Sequence, residues 1–290
     1  MNANRNEKSL TAEGLKSFIA NALHEDVRDG DHSSLSCIPE TATGKARLLV
    51  KEDGVIAGIA LAEIIFKQVD PRLTVEVLRK DGDQVVYGDE VFYVEGPSQS
   101  LLTAERLVLN CMQRMSAIAT KTRYYADLIS NYHTQVLDTR KTTPGLRAIE
   151  KWAVRIGGGT NHRFGLYDMI MLKDNHIDFA GGIANGIAKT KQYLKENNRD
   201  LKIEVEARDL DEVKQILDVG GIDRIMLDNF NFEDTKTAVA LIGNRFETES
   251  SGGITEKTIA DYAACGVDYI SVGAITHSVY SMDLSLKAMD

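Results

Sequence analysis

Seven Lys or Arg residues fall between Arg140 and His176, against three acids, in a chain whose formal net charge is -9. Lys151 and Arg155 lie four apart in a helical stretch beside Glu150 and read as a solvated helix face. Arg140, Lys141, Arg163 and Lys173 sit in loops or at strand ends, where anion binding is the better reading. Arginine offers a planar fork that matches carboxylate or phosphate, and lysine a point charge. Two arginines plus lysines at one mouth suit a ligand with several negative groups. His162, in GGGTNHR (157–163), either donates to such an anion or is a satisfied structural histidine. Lys173 ends the apolar run MIML (169–172), as a phosphate ligand or, once desolvated, a Schiff-base nucleophile.

Acids and glycines extend the set. Glu204 and Glu206 in IEVEA (203–207) share a strand face, with Glu206 nearer the C-terminal end. Asp228 closes the run IMLDN (225–229). Two carboxylates on adjacent strand ends could support Mg2+, which takes few protein carboxylates plus substrate phosphates. For Asp228, helix capping competes with that reading. ESSGGI (249–254) sets Ser251, Gly252 and Gly253 between a strand and a helix, where backbone N–H groups can cradle a phosphate. Gly273 ends the following strand, in SVGA (271–274).

These residues need elements to hold them. Strand-like runs occur at TQVLD (134–138), YDMIMLK (167–173), LKIEVEA (201–207), DRIMLDN (223–229), RFETES (245–250) and DYISVGA (268–274). Helical stretches separate them, so serial βα units in one direction imply a parallel sheet. The candidate residues collect at strand C-terminal ends, which converge on one mouth in a β/α barrel. An open sheet would spread them along a line. Only six strands are clear, so the expected barrel is incomplete or hides a strand. Upstream, a helix near 10–28, strand runs at 45–58, 73–80 and 90–96, and a helix at 59–69 describe a separate α+β domain. A long helix from Leu102 leads out of it. The expected division is an N-terminal domain at 1–115, with the tail 277–290 packing on it, and a catalytic domain at 116–276.

Composition narrows the class. At 43% hydrophobic and 27% charged residues, the chain is that of a soluble globular protein. No run suits a membrane span, and the start MNANRNEKSL lacks an apolar signal core, so a cytoplasmic location is expected. Cys37, Cys111 and Cys265 are odd in number and far apart, which fits reduced thiols rather than a disulfide framework or zinc site. The acidic balance argues against nucleic-acid or anionic-membrane partners.

In order along the chain, TAERLVLN (103–110), SAIATKTR (116–123), DTRKTTPGLR (138–147), EKWAVRIGGGTNHR (150–163), LKDNH (172–176), EVEA (204–207), LDN (227–229), ESSGGI (249–254) and VGAITHS (272–278) resemble the quinolinate phosphoribosyltransferase family. The resemblance covers nearly the whole chain and is densest from Thr103 to His176. It implies phosphoribosyl transfer from phosphoribosyl pyrophosphate to quinolinate with loss of CO2, giving nicotinate mononucleotide for NAD biosynthesis, with Mg2+ required. It also implies a sandwich-like N-terminal domain, an incomplete seven-stranded α/β barrel, and a homodimer whose subunits complete each other's sites. Carried over by motif, the quinolinate pocket falls on Arg140, His162, Arg163 and Lys173, with Arg106 supplied by the partner subunit. The phosphoribosyl pyrophosphate side falls on Lys141, Lys173, Glu206, Asp228, Ser251, Gly252, Gly253 and Gly273. Lys141, Glu206 and Asp228 carry the catalytic roles, and Glu206 and Asp228 the metal, directly or through water.

Two stretches depart from the family pattern: Gly30-Asp31-His32-Ser33-Ser34 replaces Gly-Asp-Ile-Thr-Thr, and Ser98-Gln99-Ser100 replaces an arginine-containing run. Competing readings are a paralogous phosphoribosyltransferase acting on another anion, such as the molybdenum-transport-associated relatives, a Schiff-base aldolase using Lys173, and a non-catalytic anion-binding protein.

Overall fold

Alternation along the first long strand sets one side of it into a core: Ala46, Leu48 and Val50 are buried while their neighbours are not. The computed structural model describes residues 12–289, so the opening residues of the first expected helix and domain lie outside the described ones. The elements are α1 (Ala12–Asp26), α2 (His32–Cys37), β1 (Thr43–Val50), β2 (Gly54–Val55), α3 (Ile59–Val69), β3 (Thr74–Val77), β4 (Gln84–Val85), β5 (Glu90–Pro97) and α4 (Ser98–Leu128). There follow β6 (Gln135–Leu137), α5 (Arg147–Ile156), β7 (Ile170–Leu172), α6 (Asp174–Ala180), α7 (Ile183–Glu196), β8 (Ile203–Ala207) and α8 (Leu210–Val219). The last are β9 (Arg224–Asp228), α9 (Phe232–Ile242), β10 (Glu247–Ser251), α10 (Ile259–Ala264), β11 (Tyr269–Ser271), α11 (Ala274–His277) and β12 (Leu284–Met289).

The chain divides into two units. One runs to Arg123 and includes Thr142–Gly158 and the residues from Ala274; the other is Tyr124–Lys141 with Gly159–Gly273. In the first, an antiparallel sheet has the order β12-β1-β5-β3, so the C-terminal strand pairs with β1. Helix α3 buries Ile59, Leu61, Ala62, Ile65 and Phe66, and Phe66 meets Phe92 of β5 edge-on. Its first N–H groups, on Ile59 and Ala60, donate to the Asp81 carboxylate at 2.9 and 3.3 Å, a cap supplied from a distant loop. Among the departures noted above, Asp31 caps the short helix α2 by accepting from the Ser34 N–H at 3.2 Å.

One expectation is corrected in this unit. Lys151, read with Arg155 as a solvated helix face, is 1% exposed, its neighbour Glu150 is 0% exposed, and of the three only Arg155 faces solvent. Arg114 donates to the Glu150 carboxylate through Nε at 3.1 Å and Nη2 at 2.8 Å, and Nη2 also reaches the Thr276 carbonyl at 2.7 Å. The second Glu150 oxygen accepts the Thr143 N–H at 3.2 Å. Spacing along a helix shows which residues share a face but not which face is covered. A charge survives under cover here because it is paired on every side.

The second unit is built on six parallel strands in the order β6-β11-β10-β9-β8-β7. Beyond β6, Thr160 makes a single parallel bridge to Leu137. Its N–H donates to the Val136 carbonyl at 2.8 Å, and its carbonyl accepts the Asp138 N–H at 3.2 Å. Thr160 thus adds a single-residue parallel position beside the edge strand β6, beyond the six strands. Among the described residues no ladder joins Thr160 to β7, so the barrel stays incomplete. Helices cover the outside of this sheet. Asp209 caps α8 through the N–H groups of Asp211 and Glu212, and Asn231 caps α9 through that of Asp234.

Candidate active site

Register decides which side chains meet at the mouth. Glu206 of β8 pairs with Met226 of β9, and Asp228, two residues on, pairs with Ser251 of β10. Glu206, Asp228 and Ser251 thus stand at neighbouring strand ends, and Lys173 follows β7 directly. Lys173 Nζ lies 3.8 Å from Glu206 Oε2. Burial raises the Glu206 pKa first, the Asp228 charge adds to it, and Lys173 opposes both. A carboxylate whose pKa is raised by burial and by a neighbouring carboxylate invites a cation. Hard oxygen donors at two strand ends fit Mg2+.

The glycine turn after β10 approaches Asn229 closely. A Cβ on Gly252 would lie 2.2 Å from Asn229 Oδ1, and Gly252 has φ +97°. Gly253, at φ +59°, has open space around it. Gly273 closes β11 on the same side of the sheet.

Asp138 fastens the GGGTNHR loop to the end of β6. It is fully buried, its Oδ1 accepts the His162 N–H at 2.9 Å, and its Oδ2 accepts from Asn161 Nδ2 at 2.6 Å. Asp168 holds the following turn, accepting the N–H groups of Phe164 and Gly165 at 2.6 and 2.9 Å. Arg163 is 9% exposed and donates through Nη1 to the Met169 carbonyl at 3.4 Å. Its pKa is lowered by burial and then by the nearby charge of Arg140. The two guanidinium groups repel each other across a space that an anion would relieve. Arg140 and Lys141 are exposed in the loop after β6.

Below the mouth the barrel interior is charged. His162 Nε2 lies 2.9 Å from Glu204 Oε2 and 3.2 Å from Glu249 Oε2. Arg224 donates through Nη1 to Glu249 at 3.0 Å and through Nη2 to Glu247 at 3.0 Å, with its guanidinium 4.0 Å from the Tyr269 ring centre. Burial and the neighbouring Glu249 charge push the Glu204 carboxyl up to about 7. Burial opposes the Glu249 charge, but His162 and Arg224 outweigh it and hold that carboxyl down at about 2. Burial likewise opposes a charged His162 ring, and the two carboxylates overcome it, raising the ring to about 9. The Arg163 N–H, 2.6 Å from His162 Nδ1, favours the neutral ring; two full charges in a dry interior outweigh one amide dipole. His162, Glu204 and Glu249 bring ligand atoms within 4.8 Å of one another, but His162 and Arg224 already supply the cations this group needs.

The second unit therefore gathers Arg140, Lys141, His162, Arg163, Lys173, Glu206, Asp228, Ser251, Gly252, Gly253 and Gly273. Arg106 is apart from them, exposed on α4 in the first unit. Reading the residues passed over Glu249 and Arg224 as members of the site. Neither run marks an inward side by its period: Arg224 opens RIMLD, whose apolar residues are consecutive, and Glu249 lies in ETESS, which has no apolar residue.

Comparison with known proteins follows the same lines. The family model for the N-terminal domain of quinolinate phosphoribosyl transferase matches residues 31–116, and that for its C-terminal domain matches 118–287. The chloroplastic nicotinate-nucleotide pyrophosphorylase [carboxylating] of Arabidopsis thaliana is 48% identical, over 94% of this chain and 82% of its own length. The probable nicotinate-nucleotide pyrophosphorylase [carboxylating] of Bacillus subtilis is 39% identical, over 94% and 92%. The crystal structure of NadC from Streptococcus pyogenes superposes with a TM-score of 0.90 at 39% identity, covering 97% of this chain and 99% of that one. Among the described residues, no helix is long and apolar enough to cross a membrane.

Proposed function

Because the chain belongs to the quinolinate phosphoribosyltransferase family, we propose that it transfers the phosphoribosyl group of phosphoribosyl pyrophosphate to quinolinate, releasing pyrophosphate and CO2 and leaving nicotinate mononucleotide for NAD biosynthesis. One observation carries the reading. Arg163 beside Arg140, and Lys173 beside Glu206, stand at one end of a parallel barrel sheet that also presents a glycine turn. A dicarboxylate relieves the first pair, and a diphosphate with its metal answers the second.

Arg140 and Arg163 hold the two quinolinate carboxylates, which aims the ring nitrogen at C1 of the ribose. His162 supports Arg163 from below. Lys141, Lys173 and the N–H groups after Ser251 hold the phosphates. Glu206 and Asp228 would hold Mg2+, directly or through water, and when bound the ion would neutralise charge on the pyrophosphate. The bond from C1 to the pyrophosphate oxygen breaks with its electron pair on oxygen, while the pyridine nitrogen forms the new bond to C1. Glu206 and Asp228 stabilise the positive charge that builds on the ribose. The carbon–carbon bond to the carboxylate beside the ring nitrogen then breaks. CO2 leaves, the electron pair stays on that ring carbon beside the cationic nitrogen, and a proton takes its place. No covalent enzyme intermediate is needed, so positioning and electrostatics supply the rate.

The proposal extends to a homodimer in which Arg106 of one subunit completes the quinolinate pocket of the other. It also extends to a reducing cytoplasmic location, consistent with three free cysteines. Incubating the purified protein with Mg2+, phosphoribosyl pyrophosphate and carboxyl-labelled quinolinate tests the reaction. Labelled CO2 and nicotinate mononucleotide are expected. Turnover of nicotinate with none of quinolinate sinks the assignment.

A further inference from the structure

Asn229 follows Asp228 at the end of β9 and joins two strand ends. Its φ is +57°, one of three positive values on non-glycine residues among those described. Asparagine is among the few side chains that enter this left-handed region at modest cost. The turn lets three groups of one residue act at once. The side-chain Nδ2 donates to Asp228 Oδ2 at 2.7 Å. The backbone N–H donates to the Ser251 carbonyl at 2.9 Å. The side-chain Oδ1 occupies the place a Cβ on Gly252 would take, 2.2 Å from it.

We propose that Asn229 is a positioning residue for the phosphoribosyl donor: its amide fixes the Asp228 carboxylate in one orientation and its backbone fixes the Ser251–Gly253 turn relative to that carboxylate. The inference rests on the proposed function and goes beyond it, because it assigns the spacing between the carboxylate and the phosphate-cradling turn to one side chain that touches neither ribose nor phosphate. A half-buried aspartate such as Asp228, next to a turn, can still sample more than one rotamer, and each wrong one misplaces the charge that must meet the ribose or its metal. A donor at 2.7 Å removes those rotamers before the ligand arrives, which is where preorganisation gains affinity. The same amide explains why glycine is required more stringently at Gly252 than at Gly253. Only the former is crowded by Asn229, although both have positive φ.

The backbone and side-chain contributions separate by substitution. Asn229→Gly keeps the left-handed backbone at no steric cost and keeps the N–H to Ser251, but loses the amide. Asn229→Asp keeps a residue that tolerates the turn and sets a second carboxylate against Asp228. Binding is read by titration calorimetry, without turnover. Quinolinate is titrated alone, and phosphoribosyl pyrophosphate is titrated with Mg2+, with and without saturating phthalate. Phthalate carries two adjacent carboxylates but no ring nitrogen to attack. For Asn229→Gly the expected result is a melting temperature close to wild type, a donor Kd weakened about tenfold or more, and a quinolinate Kd within about twofold of wild type. Asn229→Asp should weaken the donor further and respond more strongly to Mg2+. Donor binding by Asn229→Gly equal to wild type overturns the proposal. So does an equal loss for both ligands, or a wild type that binds no donor under either condition. Absence of quinolinate turnover by a wild type that still binds the donor sinks the proposed reaction instead, and leaves the comparison with Asn229→Gly standing as the test of this residue.

Discussion

His162 Nε2 lies 2.9 Å from Glu204 Oε2, so the histidine of the GGGTNHR loop turns its far nitrogen into the barrel rather than out of its mouth. Its ring is 5% exposed and stands against a second carboxylate, Glu249, at 3.2 Å. The residue next to it, Arg163, is the one proposed to hold an anion, with Arg140 nearby. Histidine and arginine therefore divide the work of adjacent positions: one anchors the loop to the interior, the other presents charge.

That anchoring is pH-dependent, with a definite sign. The His162 ring is raised from 6.5 to about 9 in the folded chain, so the folded state binds its proton more tightly than the unfolded one. The stabilisation is fully present below about pH 6.5 and is lost as the pH rises through about 9. Glu204, raised to about 7, acts in the same direction over the range just below. Thermal melting across this range should show a falling midpoint for the wild type and a flatter profile for His162→Gln. Parallel profiles for the two proteins would falsify the ion-pair assignment.

Arg224 is the interior cation whose loss leaves the most exposed debt of charge. It bonds Glu249 and Glu247 and lies over the Tyr269 ring. Arg224→Met keeps the length and removes the charge, leaving Glu249 with His162 as its remaining cation. Breaking one partner of a buried pair costs about 3–5 kcal/mol. Urea unfolding should report a loss of that order, and a change under about 1 kcal/mol would show that the pair adds little beyond a hydrophobic replacement.

Much of this site was legible in the sequence because strand ends carry recognisable residues. Asp138, Lys173, Glu206, Asp228, Ser251 and Gly273 each stand at or next to the end of a strand-like run, and the structure puts every one at or just beyond a strand's C-terminal end. Thr160 was not legible, because a strand of one bridge has no period to detect. Helix α6 was hidden for a related reason: Asp174 to Ala180 begins directly after Lys173, within a motif that reads as the end of a strand. Lys151 was misread because charge on a helix is informative only once the covering element is known, whereas Arg155 is exposed as expected. The charged interior failed differently. Glu204 was read as sharing a strand face with Glu206, and Glu249 only as the start of ESSGGI, and neither reading says that these carboxylates face the inside of a barrel.

Lys173 gives a sharp test between reaction classes. A Schiff-base lysine needs an apolar pocket that disfavours its charge. The Lys173 side chain is 47% exposed and has the Glu206 carboxylate at 3.8 Å, which is not an enclosed apolar pocket. Borohydride with candidate carbonyl substrates should leave no adduct on Lys173 by mass spectrometry, while Lys173→Ala should lower kcat/KM for the donor at least ~100-fold. A trapped adduct would revive the aldolase reading.

Gly252 and Gly253 should respond differently to the same change. Alanine at Gly253 meets only the backbone penalty of φ +59° in open space. Alanine at Gly252 meets φ +97° and also a contact 2.2 Å from Asn229 Oδ1. Strained positions cost about 1–3 kcal/mol, so Gly252→Ala should melt lower and lose more donor affinity than Gly253→Ala. Equal effects would mean that the turn moves freely and that Asn229 does not limit it.

The last prediction concerns the shared site. Arg106 belongs to α4 in the first unit, while Lys141 belongs to the second, with the other substrate-facing residues. If the quinolinate pocket of each subunit takes Arg106 from its partner, Arg106→Ala and Lys141→Ala homodimers should both be inactive. In a mixed dimer, one site combines the wild-type Lys141 of one chain with the wild-type Arg106 of the other, and the second site carries both defects. Random mixing of equal amounts makes half the dimers mixed, each with one good site, so activity should recover to about a quarter of the wild-type rate per subunit. Mass spectrometry of differently tagged chains confirms that exchange has occurred. Mixed dimers with no recovered CO2 release would place Arg106 in its own subunit's site, or outside the chemistry altogether.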